Sequence, residues 1–118
     1  MAALHELSLA DALAALRSGD TSSRALTEAY LERISAHDGA LHAYLHVAAD
    51  SALAAANAAD KQLAKKGNHP PLLGLPIAIK DVLTVAGMPA TAGSRILEPF
   101  VPTYNATTVQ RLLDAGCV

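Results

Sequence analysis

The fold of this chain is decided by the stretch Leu73-Gly74-Leu75-Pro76-Ile77-Ala78-Ile79-Lys80-Asp81. Residues 72–79 form a nearly unbroken apolar run, with Pro70-Pro71 before it and the charged pair Lys80-Asp81 after it. An apolar run bounded in this way is typical of a strand that is buried on both faces of a sheet. We therefore predict a buried strand over residues 72–79, with Lys80 at its carboxyl end.

Helical patterns dominate the residues that precede this run. Ser8, followed three residues later by Asp11, resembles a capping box at the start of a first helix, and Gly19 is a suitable stop. Thr21 or Ser22 then begins a second helix, and Leu26, Tyr30 and Ile34 line one of its faces. Because the turn between them is short, we predict a hairpin of two helices.

Between the second helix and the apolar run, the periodicity changes twice. Residues 41–47 alternate between apolar and polar side chains, which predicts a short strand or extended segment with one face buried. His42 and His46 lie in this segment at a spacing that would suit a metal on a helix, but no third ligand is evident. We interpret both as structural histidines. A third, alanine-rich helix follows over about residues 50–66.

Downstream of Lys80 the chain is first irregular and then helical. Glycines and prolines predict a loop over residues 82–93, and residues 94–100 remain ambiguous. Asn105 is a good N-cap for a last helix that Gly116 ends, and Cys117-Val118 begins a further apolar segment. The order predicts the α/β class: N-terminal helices, then the first strand–helix unit of a mixed, largely parallel sheet sandwiched by helices, and incomplete.

Composition narrows the class of protein further. The 118 residues suffice for one domain, and the hydrophobic fraction of 52% excludes a disordered chain. A net charge of −2 gives no sign of a polyanion-binding surface, and no stretch is long and apolar enough to span a membrane. The single cysteine, Cys117, excludes an internal disulfide and reads as a small core residue. We predict a cytoplasmic globular protein.

Lys80 is the candidate catalytic residue. It lies where active sites of parallel sheets are assembled, at the carboxyl end of the predicted strand. Partial desolvation there would favour the neutral amine that a general base requires. The alternative is that Lys80 pairs with Asp81 and only caps the sheet. Nucleotide binding is unsupported, because Ile79 and Asp81 flank the lysine where a P-loop needs glycine and serine or threonine.

The motif around Lys80 resembles the segment that carries the invariant lysine of the amidase-signature family. Three further stretches resemble the A subunits of the tRNA-dependent amidotransferases within that family: Ala29-Tyr30-Leu31-Glu32-Arg33-Ile34, Thr91-Ala92-Gly93-Ser94-Arg95-Ile96-Leu97, and Tyr104-Asn105-Ala106-Thr107. Their order and spacing are similar over nearly the whole chain. Two departures are Asn105, where aspartate is usual, and Val82, where asparagine is more frequent.

The resemblance implies a Ser–cis-Ser–Lys arrangement in which Lys80 is the general base of a glutaminase. Residues 1–68 would be a helical N-terminal segment, and residues 69–118 the start of the catalytic core of one amidase-signature domain. Both serines would lie beyond Val118, so this chain alone is expected to be inactive; Ser94 matches a loop position and not the nucleophile. No cofactor is implied in this chain, since ATP and Mg²⁺ are used elsewhere in the complex. The implied partners are the B and C subunits of the amidotransferase, with glutamine as substrate and tRNA reached only through the complex.

Two alternatives stay open at this stage. A stand-alone amidase of the same family, acting on another small amide, would share the lysine motif. A non-catalytic interaction module is the second, because the chain has no serine pair in the family context. The sequence of the gene after codon 118 distinguishes the module from a truncated enzyme.

Overall fold

The structure, a computed structural model, describes residues 2–118. Four α-helices follow a 3-10 helix at Leu4–Glu6: α1 (Leu9–Ser18), α2 (Ser23–Leu41), α3 (Ala49–Leu63) and α4 (Thr107–Asp114). Within residues 2–118 no strand is formed, so the predicted sheet is not confirmed. None of the described helices combines the length and the apolar character that crossing a membrane would require.

The ends of the first two α-helices are set by local side chains, as the sequence predicts. Ser8 caps α1 by accepting a hydrogen bond from the backbone N–H of Asp11, and Gly19 ends the helix at a φ of 81°. Ser22 caps α2 by accepting from the N–H of Ala25. These caps satisfy N–H groups that have no partner inside their helices.

A second, long-range cap completes the start of α2. The carboxylate of Asp60, on α3, accepts hydrogen bonds from the backbone N–H groups of Ser23 at 2.7 Å and Arg24 at 3.1 Å. A negative charge at this end of a helix is also favoured by the helix dipole. Asp60 therefore joins α3 to the first turn of α2, where the sequence shows only an acid beside a lysine cluster.

The core is built by α1, α2 and the segment that follows Pro70-Pro71. Leu16, Leu26 and Leu75 are buried together, with Ala12 beside them. The backbone of α2 runs closest to α3 and to the 3-10 helix, so α1 and α2 do not form the predicted hairpin as their main pairing. Instead, α1 contributes its buried face to the shared cluster.

Residues 42–47 differ from the prediction. Leu41 is the last residue of α2, and His42 follows it in the left-handed region at a φ of 52°. The carboxylate of Asp38 then accepts from the N–H groups of Ala43 and Tyr44. All side chains over residues 41–47 are exposed, so the prediction of an extended segment with a buried face is wrong. The chain turns at His42 and the Asp38 carboxylate holds its next two residues, and no face of the segment becomes buried.

The apolar run itself is also not a regular strand. Leu73 donates its N–H to the carbonyl of Pro70 and Leu75 to that of Leu72, so the first half coils into turns around Gly74, whose φ is 83°. Leu73 and Leu75 are buried as predicted, whereas Ile77 is 41% exposed. Burial on both faces is therefore achieved only in the first half of the run.

The last helix begins later than predicted. Its N-cap is Ala106, which provides no side-chain cap. The side chain of Asn105 accepts from the N–H of Ala86 at 2.8 Å and donates to Gln110 at 2.9 Å. Asn105 is thus not the cap of α4, and it joins the loop before the helix to the helix surface.

Candidate active site

The segment that leads to Lys80 is held from one side by the residues after α4. Four backbone hydrogen bonds of 2.8–2.9 Å join the two, namely those from the N–H groups of Leu72, Gly74, Ile77 and Val118 to the carbonyls of Ala115, Gly116, Val118 and Leu75, respectively. The bonds on either side of Val118 run in the alternating manner of parallel strands. The end of α4 therefore places the chain that carries Lys80, although it does so without a full ladder.

Two glycines permit this close approach. Gly116 has a φ of 95°, and a Cβ atom built there would lie 2.7 Å from the Cα of Leu73. At Gly74, a Cβ atom would lie 3.0 Å from the Cβ of Ser23, whose hydroxyl donates to the Gly74 carbonyl at 2.6 Å. The positive φ at Gly116 also allows the N–H of Cys117 to bond the carbonyl of Leu112, which closes α4. The close contacts of Gly116 with Leu73 and of Gly74 with Ser23 fix the path of the backbone over residues 75–80.

Lys80 has an exposed side chain. Its carbonyl accepts from the N–H of Leu83 at 2.9 Å, which starts a turn. Among residues 2–118 the one ion pair is Arg24–Glu28, so Lys80 does not pair with Asp81. The desolvation expected from the sequence is not provided by the described residues, and neither is the ion pair of the alternative interpretation.

Asp81 is bonded to a loop ten residues downstream. Its carboxylate accepts from the backbone N–H and the hydroxyl of Thr91, and more weakly, at 3.4 Å, from the N–H of Gly93. Its own carbonyl accepts from the N–H of Ala92 at 3.3 Å. The Thr91 hydroxyl, followed by the backbone donors, lowers the pKa of Asp81 below its ordinary value of 3.8. The carboxylate is therefore an anion that ties the loop to the residue after Lys80.

An open apolar groove of about 720 Å³ lies beside this segment. Tyr30 and Ile34 of α2, Val47, Ile77 and Ile79 contribute to its lining. On its wall the hydroxyl of Thr27 is buried and has no hydrogen-bond partner among the described residues. A groove of this size and character is typical of a surface that another apolar element covers.

The other residues considered from the sequence do not join Lys80. Ser94 lies in the loop after Thr91 and donates its backbone N–H to the Thr91 carbonyl. Cys117 is buried, and its burial raises the pKa of the thiol, so it fits the predicted core role better than that of a nucleophile. His42 and His46 are both exposed. Across the described part of the chain, no three His, Cys, Asp or Glu side chains lie close enough together to hold a metal ion.

The chain belongs to the amidase family, whose sequence profile, described as Amidase, matches residues 25–118. It is 51% identical over 118 residues to the A subunit of glutamyl-tRNA(Gln) amidotransferase from Chloroflexus aurantiacus, and 50% identical over the same length to that from Thermobifida fusca. Each match covers 100% of this chain and 24% of the relative. The chain therefore spans about a quarter of the length of these relatives.

Solved structures agree with the family assignment. One, described as an unexpected vestigial protein complex that reveals the evolutionary origins of an s-triazine catabolic enzyme, superimposes with a TM-score of 0.90 at 34% identity. The match covers 95% of this chain and 25% of that one. A second, PAM12A, gives a TM-score of 0.87 at 38% identity and covers 96% and 23%, respectively. The chain therefore shares its arrangement of helices and loops with a segment that makes up about a quarter of each of these two proteins.

The contribution of Thr91 was not anticipated from the sequence. Asp81 directly follows Lys80 in the sequence, and this position suggests an ion pair between the two residues. The signal that could have revealed the contact is the threonine ten residues on, within a loop that holds Gly93. Such a loop offers free N–H groups to a carboxylate, but the sequence does not show which acid will take them.

Proposed function

We propose that this chain is part of the A subunit of a glutamine-dependent tRNA amidotransferase. The parent protein would hydrolyse glutamine and supply ammonia for the transamidation of misacylated Glu-tRNA(Gln) or Asp-tRNA(Asn). The observation that carries the proposal is the identity of about half of all residues, over the full chain, with A subunits of this enzyme. The segment around Lys80 lies inside that match.

In the proposed mechanism Lys80 is the general base. As the neutral amine it takes a proton from a bridging serine, which takes one from the nucleophilic serine as that oxygen attacks the amide carbon of glutamine. Backbone N–H groups stabilise the oxyanion, and the proton held by Lys80 returns through the bridging serine to the amide nitrogen, which leaves as ammonia. Water then hydrolyses the acyl-enzyme to glutamate and restores the free serine. The resemblance assigns both serines to sequence beyond Val118, so the 118 residues alone are not expected to turn over.

The described residues support an exposed amine that is free to act on such a partner. Lys80 forms no ion pair and no side-chain hydrogen bond within residues 2–118. Turns and backbone bonds fix the chain on both sides of it, at Leu83 and at Ile77. The groove next to Ile79 is where further apolar structure would cover the site and reduce its contact with water.

Partners and cofactors of the parent protein belong to the same proposal. The B subunit would bind ATP, Mg²⁺ and the tRNA, and the small C subunit would complete the complex in the cytoplasm. This chain contributes no P-loop, and its net charge of −2 offers little attraction to a nucleic acid. Contact with tRNA would therefore pass through the other subunits.

A stand-alone amidase is the second candidate. The structures at 34% and 38% identity include one connected with an s-triazine catabolic enzyme, so the same fold is found outside tRNA-dependent amidotransferases. The higher identity to the A subunits favours the amidotransferase.

The test that separates the two uses the natural full-length protein. Tagged parent protein purified from its own cells should bring down the B and C subunits and release ammonia from glutamine. Purification without them, together with hydrolysis of other small amides in preference to glutamine, would establish the stand-alone amidase instead.

A further inference from the structure

We propose that Asp81 is a positioning residue for the reaction, which acts by clamping the loop of residues 91–93 against the chain that carries Lys80. The inference rests on the proposed function, in which Lys80 is the base. It assigns to Asp81 a role that neither its position next to a lysine nor the family match provides. Among the described residues the carboxylate forms no ion pair with the amine, and its hydrogen bonds go to Thr91 and Gly93 instead.

The clamp adds to a backbone bond at the peptide that joins residues 80 and 81, and it holds the chain immediately after that peptide. The Lys80 carbonyl accepts from Leu83 at 2.9 Å, and the Asp81 carbonyl accepts from Ala92 at 3.3 Å. The Asp81 carboxylate adds bonds to the N–H and the hydroxyl of Thr91. Because Asp81 is held in this way, the backbone of Lys80 has a fixed position from which its flexible side chain extends. Proton transfer requires such positioning, because the amine must come within hydrogen-bond distance of its partner.

The loop that Asp81 holds is strained. Ala92 has a φ of 49°, in the left-handed region that residues with a side chain avoid, and Gly93 follows at 69°. Such conformations persist where surrounding contacts impose them, and they concentrate at functional sites. Here the carboxylate contacts donors on both sides of Ala92, and those donors also stabilise its charged form. Asp81 is thus the residue that offsets the strain of this loop.

An engaged Asp81 also leaves the amine of Lys80 without a fixed counter-charge. A carboxylate paired with the amine would favour the ammonium form, which cannot accept a proton. Thr91 therefore has two effects: it orders the loop, and it holds the adjacent carboxylate away from the base. Both effects of Thr91 require the negatively charged carboxylate of Asp81, and a side chain of the same size without that charge would not provide them.

The test measures glutamine hydrolysis by the natural full-length protein in its complex with the B and C subunits. Asp81→Asn keeps the shape of the side chain, but presents an amide N–H₂ where at least one oxygen now accepts. We expect kcat to fall about 10- to 100-fold while KM changes less than about threefold. This is the pattern expected when the amine of Lys80 is slightly misplaced for proton transfer while glutamine still binds normally. Thr91→Val should also lower kcat, whereas Thr91→Ser, which keeps the hydroxyl, should have a kcat close to that of the wild type.

Asp38→Asn is the matched control. The carboxylate of Asp38 also accepts two backbone N–H groups in a loop, from Ala43 at 2.6 Å and Tyr44 at 3.2 Å, but that loop follows α2. We expect its kcat to equal that of the wild type, whatever small loss of thermal stability it shares with Asp81→Asn.

Each outcome is decisive. A wild-type kcat in Asp81→Asn would overturn the positioning role while leaving the proposed function intact. Equal losses of activity in Asp81→Asn and Asp38→Asn, in step with their losses of stability, would overturn it as well, in favour of a general structural role. Absence of glutamine hydrolysis in the wild-type complex would remove the proposed function itself, and the positioning role with it.

Discussion

At the residue scale, the approach of two chain segments near Lys80 depends on Gly116. Its φ of 95° disfavours any side chain, and the backbone of Leu73 occupies the place where a Cβ atom would lie. The neighbouring N–H and carbonyl groups then pair across the gap. The sequence identifies this glycine as a helix stop, but the close contact with Leu73, far away along the chain, is visible only in the folded protein.

Gly116→Ala should therefore destabilise the full-length protein by about 2–5 kcal/mol, from the left-handed alanine (about 1–2 kcal/mol) and from overpacking (about 1–3 kcal/mol). Thermal unfolding followed by circular dichroism measures the change. Gly39→Ala is the control, because nothing lies within 4 Å of its Cβ position and it is inside α2. That variant should be unchanged or more stable by up to about 1 kcal/mol. A Gly116→Ala variant as stable as Gly39→Ala would contradict the geometry described.

At the scale of elements, predictions succeeded where the deciding contacts are local. Ser8, Ser22 and Gly19 act within a few positions of the helix ends that they set, and those ends agree with the structure. Asn105 failed as a cap, since Ala86 and Gln110 engage its side chain instead. The run over residues 72–79 was predicted as a strand from its apolar character alone. Its backbone finds one partner segment among the described residues, and Gly74 turns its first half.

The cap that α3 provides for α2 gives a prediction at this scale. Asp60→Ala removes a charged acceptor from the N–H groups of Ser23 and Arg24. We expect a loss of about 1.5–3 kcal/mol in the free energy of unfolding of the full-length protein, as for other hydrogen bonds to charged groups. Gln62→Ala, an exposed change two positions on, should stay within about 0.5 kcal/mol of the wild type. If both variants unfolded at the same temperature as the wild type, the cap that Asp60 provides would not contribute to stability.

At the scale of the whole molecule, the chain is open rather than compact. Its radius of gyration is 14.9 Å, against about 13.5 Å for a compact domain of this length. Its accessible surface of 7706 Å² exceeds the roughly 6,100 Å² expected for a monomer of 12.2 kDa. Ile96, at 88% exposure, and Leu45, at 68%, are among the large apolar side chains left in contact with water. Composition indicates a globular protein, but it cannot show that so much apolar surface stays uncovered.

The isolated 118-residue chain should consequently behave as a poorly packed or aggregating species. We expect it to bind the dye ANS, to elute as a mixture of sizes, and to melt over a broad range without a cooperative transition. Size-exclusion chromatography with light scattering, together with calorimetry, measures these properties. A monomer with a sharp, reversible melt would show that the core around Leu16, Leu26 and Leu75 suffices without further structure.

The most direct test of the catalytic assignment is the glutaminase rate of the natural full-length protein with Lys80 replaced by alanine. Lys66→Ala, an exposed lysine after α3, is the matched control. If Lys80 is the general base, its loss should lower kcat about 10²- to 10⁴-fold in a protein whose circular dichroism is unchanged, while Lys66→Ala keeps the wild-type rate. Equal rates for the Lys80→Ala variant and the wild type would contradict the assignment and leave Lys80 as a surface residue.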